Sequence, residues 1–130
     1  MIFSYTISTP ANTPASAPLK TTMKLTGGIV HKFQLIVPPG PQGLLHISIR
    51  NAIHQVFPTN PEANFAIDNA NLEYRTHETL DDAPYQWDAY SWNLDDKHAH
   101  ACTILVGLLP KNVITPWLLT WQERTAASGQ

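Results

Sequence analysis

The sequence predicts an all-β fold, an antiparallel β-sandwich, on three observations. Apolar and polar residues alternate with period two through most of the chain, the pattern of half-buried strands. Turn-forming clusters rich in Gly, Pro, Asn and Asp break that alternation every 8–12 residues or so, the spacing of short sandwich strands. Charged residues make up only 14% of the 130 positions and prolines number eleven. A coiled coil or helical bundle wants many Glu, Lys and Arg and few prolines. Apolar residues at 43% suffice for one core, and the length fits one domain over 1–130.

The elements follow in order. Residues 2–8 are rich in β-formers and read as the first strand. Residues 9–18 carry Pro10, Pro14 and Pro18 among Ala, Ser, Thr and Asn. Too many donors are missing there for a central strand, so this stretch is an extended arm or a long crossing loop. Residues 21–26 alternate, with Met23 and Leu25 on one face. Gly27-Gly28 then predicts a tight turn into residues 29–37, with Ile29, Phe33, Leu35 and Val37 inward, together a hairpin. Residues 38–43 are a loop. Leu45, Ile47 and Ile49 mark the next strand, and residues 51–57 are ambiguous, with Ile53, Val56 and Phe57 at helical spacing over barely two turns. Residues 58–64 form a turn cluster. Leu72, Tyr74 and Thr76 alternate again, and residues 85–93 form an aromatic strand. Residues 93–97 make a polar turn, and residues 98–109 form the longest strand, broken or bent near Gly107.

The tail differs. Thr115-Pro116 suits an N-cap and first helical position, and Trp117, Leu118 and Trp121 make one apolar stripe, so residues 113–125 predict a short helix. Strands of this number and spacing fit a jelly-roll or an immunoglobulin-like topology. The single cysteine rules out the Cys–Trp–Cys pattern of immunoglobulin domains, which leaves the jelly roll as the better fit.

Composition excludes several functional classes. The net charge of −2 lacks the basic excess of a nucleic-acid binder, so no sequence-specific nucleic-acid partner is expected. No secretory leader is visible at the start, and the longest apolar run, residues 104–109, is far short of a membrane span. The expectation is a soluble protein, intracellular when made, with no membrane partner. The charges are sorted along the chain. Residues 1–61 hold Lys20, Lys24, Lys32 and Arg50 and no acid, whereas residues 62–97 hold nine acids against Arg75 and Lys97. Two readings follow: the halves pair inside one molecule, or they offer complementary patches for packing between subunits.

Candidate chemistry is sparse. His98, His100 and Cys102 are two residues apart beside Asp95 and Asp96, and an i, i+2 histidine pair on a strand can chelate Zn²⁺ or Fe²⁺. The cupin pattern that shares this spacing also wants a nearby glycine before it and a glutamate after it, and both are missing. His98 and His100 are therefore weak metal candidates, and ordinary packing is the preferred reading. His31 shares a face with Phe33 and Leu35 and reads as a hydrogen-bonded core histidine. Cys102, in an apolar strand without a neighbouring Lys or Arg, reads as an inert buried thiol. No nucleophile elbow or phosphate-cradling glycine loop occurs, so neither catalytic residues nor a cofactor are expected. Tyr85, Trp87 and Trp92, interleaved with Asp88 and Asn93, are the candidate glycan-binding set. The same rings serve equally as core or as interface anchors. Pro10, Pro14, Pro18, Trp117 and Trp121 are the candidate contacts of a homo-oligomer.

Three stretches carry a resemblance: residues 5–13 with 23–29, residues 33–44 with Phe57-Pro58-Thr59-Asn60, and Tyr90-Ser91-Trp92-Asn93-Leu94-Asp95 with His98. In these the chain resembles small β-sandwich structural proteins of tailed phages. That resemblance implies a non-enzymatic virion component near the capsid or the head–tail junction. It would be made in the host cytoplasm, with capsid or portal and tail proteins as partners.

Overall fold

A computed structural model describes residues 1–52 and 54–110. The predicted helix over 113–125, with Trp117 and Trp121, lies outside the described residues. Eight strands follow one another: β1 (Ile2–Thr9), β2 (Leu19–Lys24), β3 (Gly28–Val37), β4 (Leu45–Asn51), β5 (His54–Phe57), β6 (Ala70–Leu80), β7 (Gln86–Asn93) and β8 (His100–Leu109). They form two antiparallel four-stranded sheets, ordered β1-β8-β3-β6 and β2-β7-β4-β5. The fold is all-β. The pairing is nested: β1 lies beside β8, β2 beside β7, β3 beside β6 and β4 beside β5.

Period-two alternation decides what each sheet buries. In β8, Cys102, Ile104, Val106 and Leu108 point inward, and in β7 Trp87, Ala89, Ser91 and Asn93 do so. Residues of both sheets make one hydrophobic cluster. Its centre is aromatic: Phe33 of β3 stacks on Phe57 of β5 with ring centroids 4.4 Å apart, and Phe57 meets Trp87 of β7 edge-on at 5.6 Å. The sheets thus face each other across a shared core.

Several expectations are corrected, and one open reading is resolved. The hairpin predicted across Gly27-Gly28 does not form, because β2 and β3 belong to different sheets. The glycines serve a crossing instead. Gly28 has φ 149°, and a Cβ there would lie 2.5 Å from the Leu109 carbonyl oxygen. The bend expected at Gly107 is a bulge in β3, where the register shifts between Val30 and Lys32. A Cβ on Gly107 would meet Lys32 Cβ at 3.0 Å and His31 Nε2 at 3.2 Å. The extra residue takes His31 out of the inward set of Phe33 and Leu35, so it is half-buried beside Gly107 and not in the core. Residues 54–57 of the ambiguous stretch are strand. Finally, β8 begins at His100, and β6, with 11 residues, is the longest strand.

Residues 10–18 carry the chain from β1 in one sheet to β2 in the other, and they are fastened to their own chain. Asn12 N–H donates to the Asp95 carbonyl at 2.9 Å, and Thr13 and Asn93 exchange two main-chain bonds of 3.0 Å. The loops 38–44 and 94–99 join at this end through Leu94 N–H to the Leu44 carbonyl. Asp68 Oδ1, from the loop between β5 and β6, accepts from Gly40 and Gln42 N–H at 2.9 Å. Four loops therefore meet at one end of the molecule.

Candidate functional site

The register places three rows of side chains on the outer face of the β2-β7-β4-β5 sheet. His46 lies opposite Trp92, Ser48 opposite Tyr90 and Arg50 opposite Asp88. Across the other edge of β7, Lys20 lies opposite Tyr90 and Thr22 opposite Asp88. The rings of His46 and Trp92 are parallel within 1°, with centroids 5.3 Å apart, and His46 Nδ1 lies 2.8 Å from Asn64 Oδ1. The Arg50 guanidinium sits 4.7 Å over the Tyr90 ring, a cation–π contact. Thr22 donates to Asp88 Oδ1 at 3.1 Å, with Lys20 Nζ 3.9 Å from Oδ2. Two buried polar atoms on this face, Ser48 Oγ and Arg50 Nε, have no hydrogen-bond partner among the described residues. Burying an unpaired polar atom is costly, so this face holds hydrogen-bonding capacity that the described residues leave unused.

The three rings expected to bind a glycan are not brought together. Trp87 is 1% exposed in the core, because odd-numbered β7 residues face inward. Tyr85 precedes β7 and lies against Gly27. Only Trp92 stands on the outer face, where it stacks with His46 and Tyr90 fills the next row beside it. Parity separates 85 and 87 from 90 and 92 in the sequence alone, but pairing with His46 and Arg50 needs the sheet.

The outer face of β1, β8 and β3 is different in kind. By alternation it presents Ile2, Ser4, Thr6 and Ser8, then Ala101, Thr103 and Leu105, then Lys32, Gln34 and Ile36. Lys32 is the one charge in that group, and it pairs with Glu73 of β6 at 3.2 Å. A solvated face normally carries more charge than this.

At the loop end, Asp95 organises the turn. Its Oδ1 accepts from Lys97 N–H at 2.9 Å and His98 N–H at 3.3 Å, and its Oδ2 from His100 Nε2 at 2.8 Å. The Lys97 N–H bond first, then the His100 bond, hold the Asp95 carboxyl down to about 2. His98 is exposed in that turn and His100 is committed to Asp95. Among the described residues no group of three His, Cys, Asp or Glu is placed to hold a metal ion. Cys102 is buried, and burial pushes its thiol up to about 12.

The predicted interface prolines lie on the crossing loop between β1 and β2, Pro10 and Pro14 exposed and Pro18 half-buried. The sorted charges are partly settled inside the molecule: Lys20 with Asp88 and Lys32 with Glu73 each join a base of residues 1–61 to an acid of 62–97. No helix among the described residues is long and apolar enough to cross a membrane. Comparison with models of protein families, with curated proteins and with solved structures finds no match to this chain.

Proposed function

We propose that the chain is a non-enzymatic structural subunit of a virion, a jelly roll that assembles with copies of itself and with capsid, portal or tail proteins. The nested strand order supports the jelly-roll topology, since rolling up one long hairpin pairs the first strand with the last and so on inward. That topology is shared by capsid, lectin and enzyme domains, so it does not select the function. The observation that carries the reading is the charge-poor outer face of β1, β8 and β3. Charged residues are depleted in the centres of protein interfaces. The exposed Pro10 and Pro14, with Pro18, make a stiff rim suited to neighbour contacts, and Trp117 and Trp121 are further contact candidates. The resemblance to tailed-phage structural proteins points the same way. Quantitative mass spectrometry of purified particles from a phage that encodes the chain tests it: the chain is expected at a fixed copy number per particle, and its absence from washed particles contradicts the reading.

A second reading, a glycan-binding module, is favoured by the outer face of the other sheet. Trp92 stacked with His46 offers aromatic surface, and Arg50, over Tyr90, supplies a polar group further along the same face. Trp92→Ala is expected to abolish binding on a glycan array, and an array without hits for the wild-type chain removes this reading.

A further inference from the structure

The two sheets have four edge strands, and three of them are protected. β6 carries Glu73, Arg75, His77 and Glu78 and sits across a bulge from β3. β2 carries Lys20 and Lys24. β5 has four residues and a shifted register. Charges, bulges and short length are the devices that stop an edge from adding another strand. β1 has none of them. Its eight residues, IFSYTIST, carry no Asp, Glu, Lys, Arg or His and no proline or glycine. Its register with β8 runs unbroken from Ile2↔Gly107 to Thr9↔His100.

The hydrogen-bond phase of β1 is fixed by its first pair. Met1 and Leu108 exchange both main-chain bonds, each 2.7 Å. Bonded and non-bonded pairs alternate in an antiparallel ladder. Phe3, Tyr5, Ile7 and Thr9 therefore bond to β8, and Ile2, Ser4, Thr6 and Ser8 direct their N–H and C=O groups to the open edge. Among the described residues nothing pairs with that edge.

We infer that β1 is the seam of a two-fold dimer, in which the β1 edges of two copies pair antiparallel and join two four-stranded sheets into one. The register is set by the phase. When Ile2 faces the partner's Ser8, and Ser4 faces the partner's Thr6, all the free groups of both strands are paired and the two-fold axis passes by Tyr5. This register also matches outer face to outer face, so the charge-poor surface continues across the seam. A second copy is the favoured occupant because the pattern is self-complementary in length, phase and face and carries no charge to repel its twin. The inference rests on the self-assembly reading above, and it names the surface.

Two variants and an exchange measurement test it. Ser4→Pro removes an N–H that points away from β8 and bonds nothing among the described residues, so the β8 ladder stays intact. Thr6→Lys puts a charge on each strand at the seam. Each is expected to weaken self-association at least tenfold in sedimentation experiments, with cooperative unfolding retained. In the wild-type chain, the amides of Ile2, Ser4, Thr6 and Ser8 are expected to exchange slowly at high concentration and quickly on dilution. Wild-type association retained by both variants overturns the seam and leaves the self-assembly reading standing. Protection of those four amides that ignores dilution also overturns it, because the chain's own residues, such as 111–130, would then cover the edge. A wild-type chain that never self-associates overturns both.

Discussion

Asn93 is buried and uses every polar group it has. Its Nδ2 donates to the carbonyls of Thr9 at 3.3 Å and His98 at 2.9 Å, and its Oδ1 accepts from Asp95 N–H at 3.0 Å. Its main chain pairs with Thr13. The side chain thus ties β1 to the turn before β8, while the main chain of the same residue holds the crossing loop. Asn93→Ala strands buried partners, a loss that typically costs about 2–4 kcal/mol, and denaturant titration of the variant checks it. Asp95 gives a second prediction. Its carboxyl is lowered from 3.8 to about 2, so its ionised form is favoured by folding. A depressed acid contributes stability that is present above its unfolded value and lost as pH falls through the folded value. The contribution is therefore expected to be whole above about pH 4 and to disappear as the pH falls toward 2, and Asp95→Asn should flatten that part of the stability profile. Direct titration of the carboxyl by NMR reads the same shift.

The strands were largely legible because their alternation reports burial directly. Phe33, Leu35 and Val37 are inward as read, and Leu45, Ile47 and Ile49, which alternate with polar residues, are buried as well. What stayed hidden was which sheet each strand joins. Gly27-Gly28 has the chemistry of a hairpin turn, yet Leu25 N–H bonds to the Tyr85 carbonyl at 2.8 Å and the chain crosses to the other sheet. Local residues set a bend, whereas partners far along the chain set its direction. The bulge at His31 was illegible for the same reason, since it fits opposite Gly107 from a remote strand. The candidate site shows the limit most clearly. Trp92 was visible, but its pairing with His46 depends on β4 lying beside β7. At this scale Gly28→Ala should cost about 2–3 kcal/mol, from backbone strain and from contact with the Leu109 carbonyl. Gly27→Ala should cost less, because its nearest neighbour is the Tyr85 ring at 3.1 Å, which can turn aside. Denaturant midpoints of the two variants compare them.

At the scale of the whole molecule, the low charge content acquires a location. Acids sit largely in loops and on the edge strand β6, among them Asp81, Asp82, Asp95 and Asp96. Bases such as Lys20, Lys24 and Arg50 line the outer face of one sheet. The opposite sheet keeps a broad face and one whole edge almost free of charge. A protein that met only water would gain solubility by charging that surface and would protect that edge. The central claim is that this bare surface is covered by protein in the assembled state. Sedimentation velocity of the full chain across a wide concentration range tests it most directly. The account predicts a species that grows with concentration to at least a dimer; a single 14.5 kDa monomer at every concentration would contradict it.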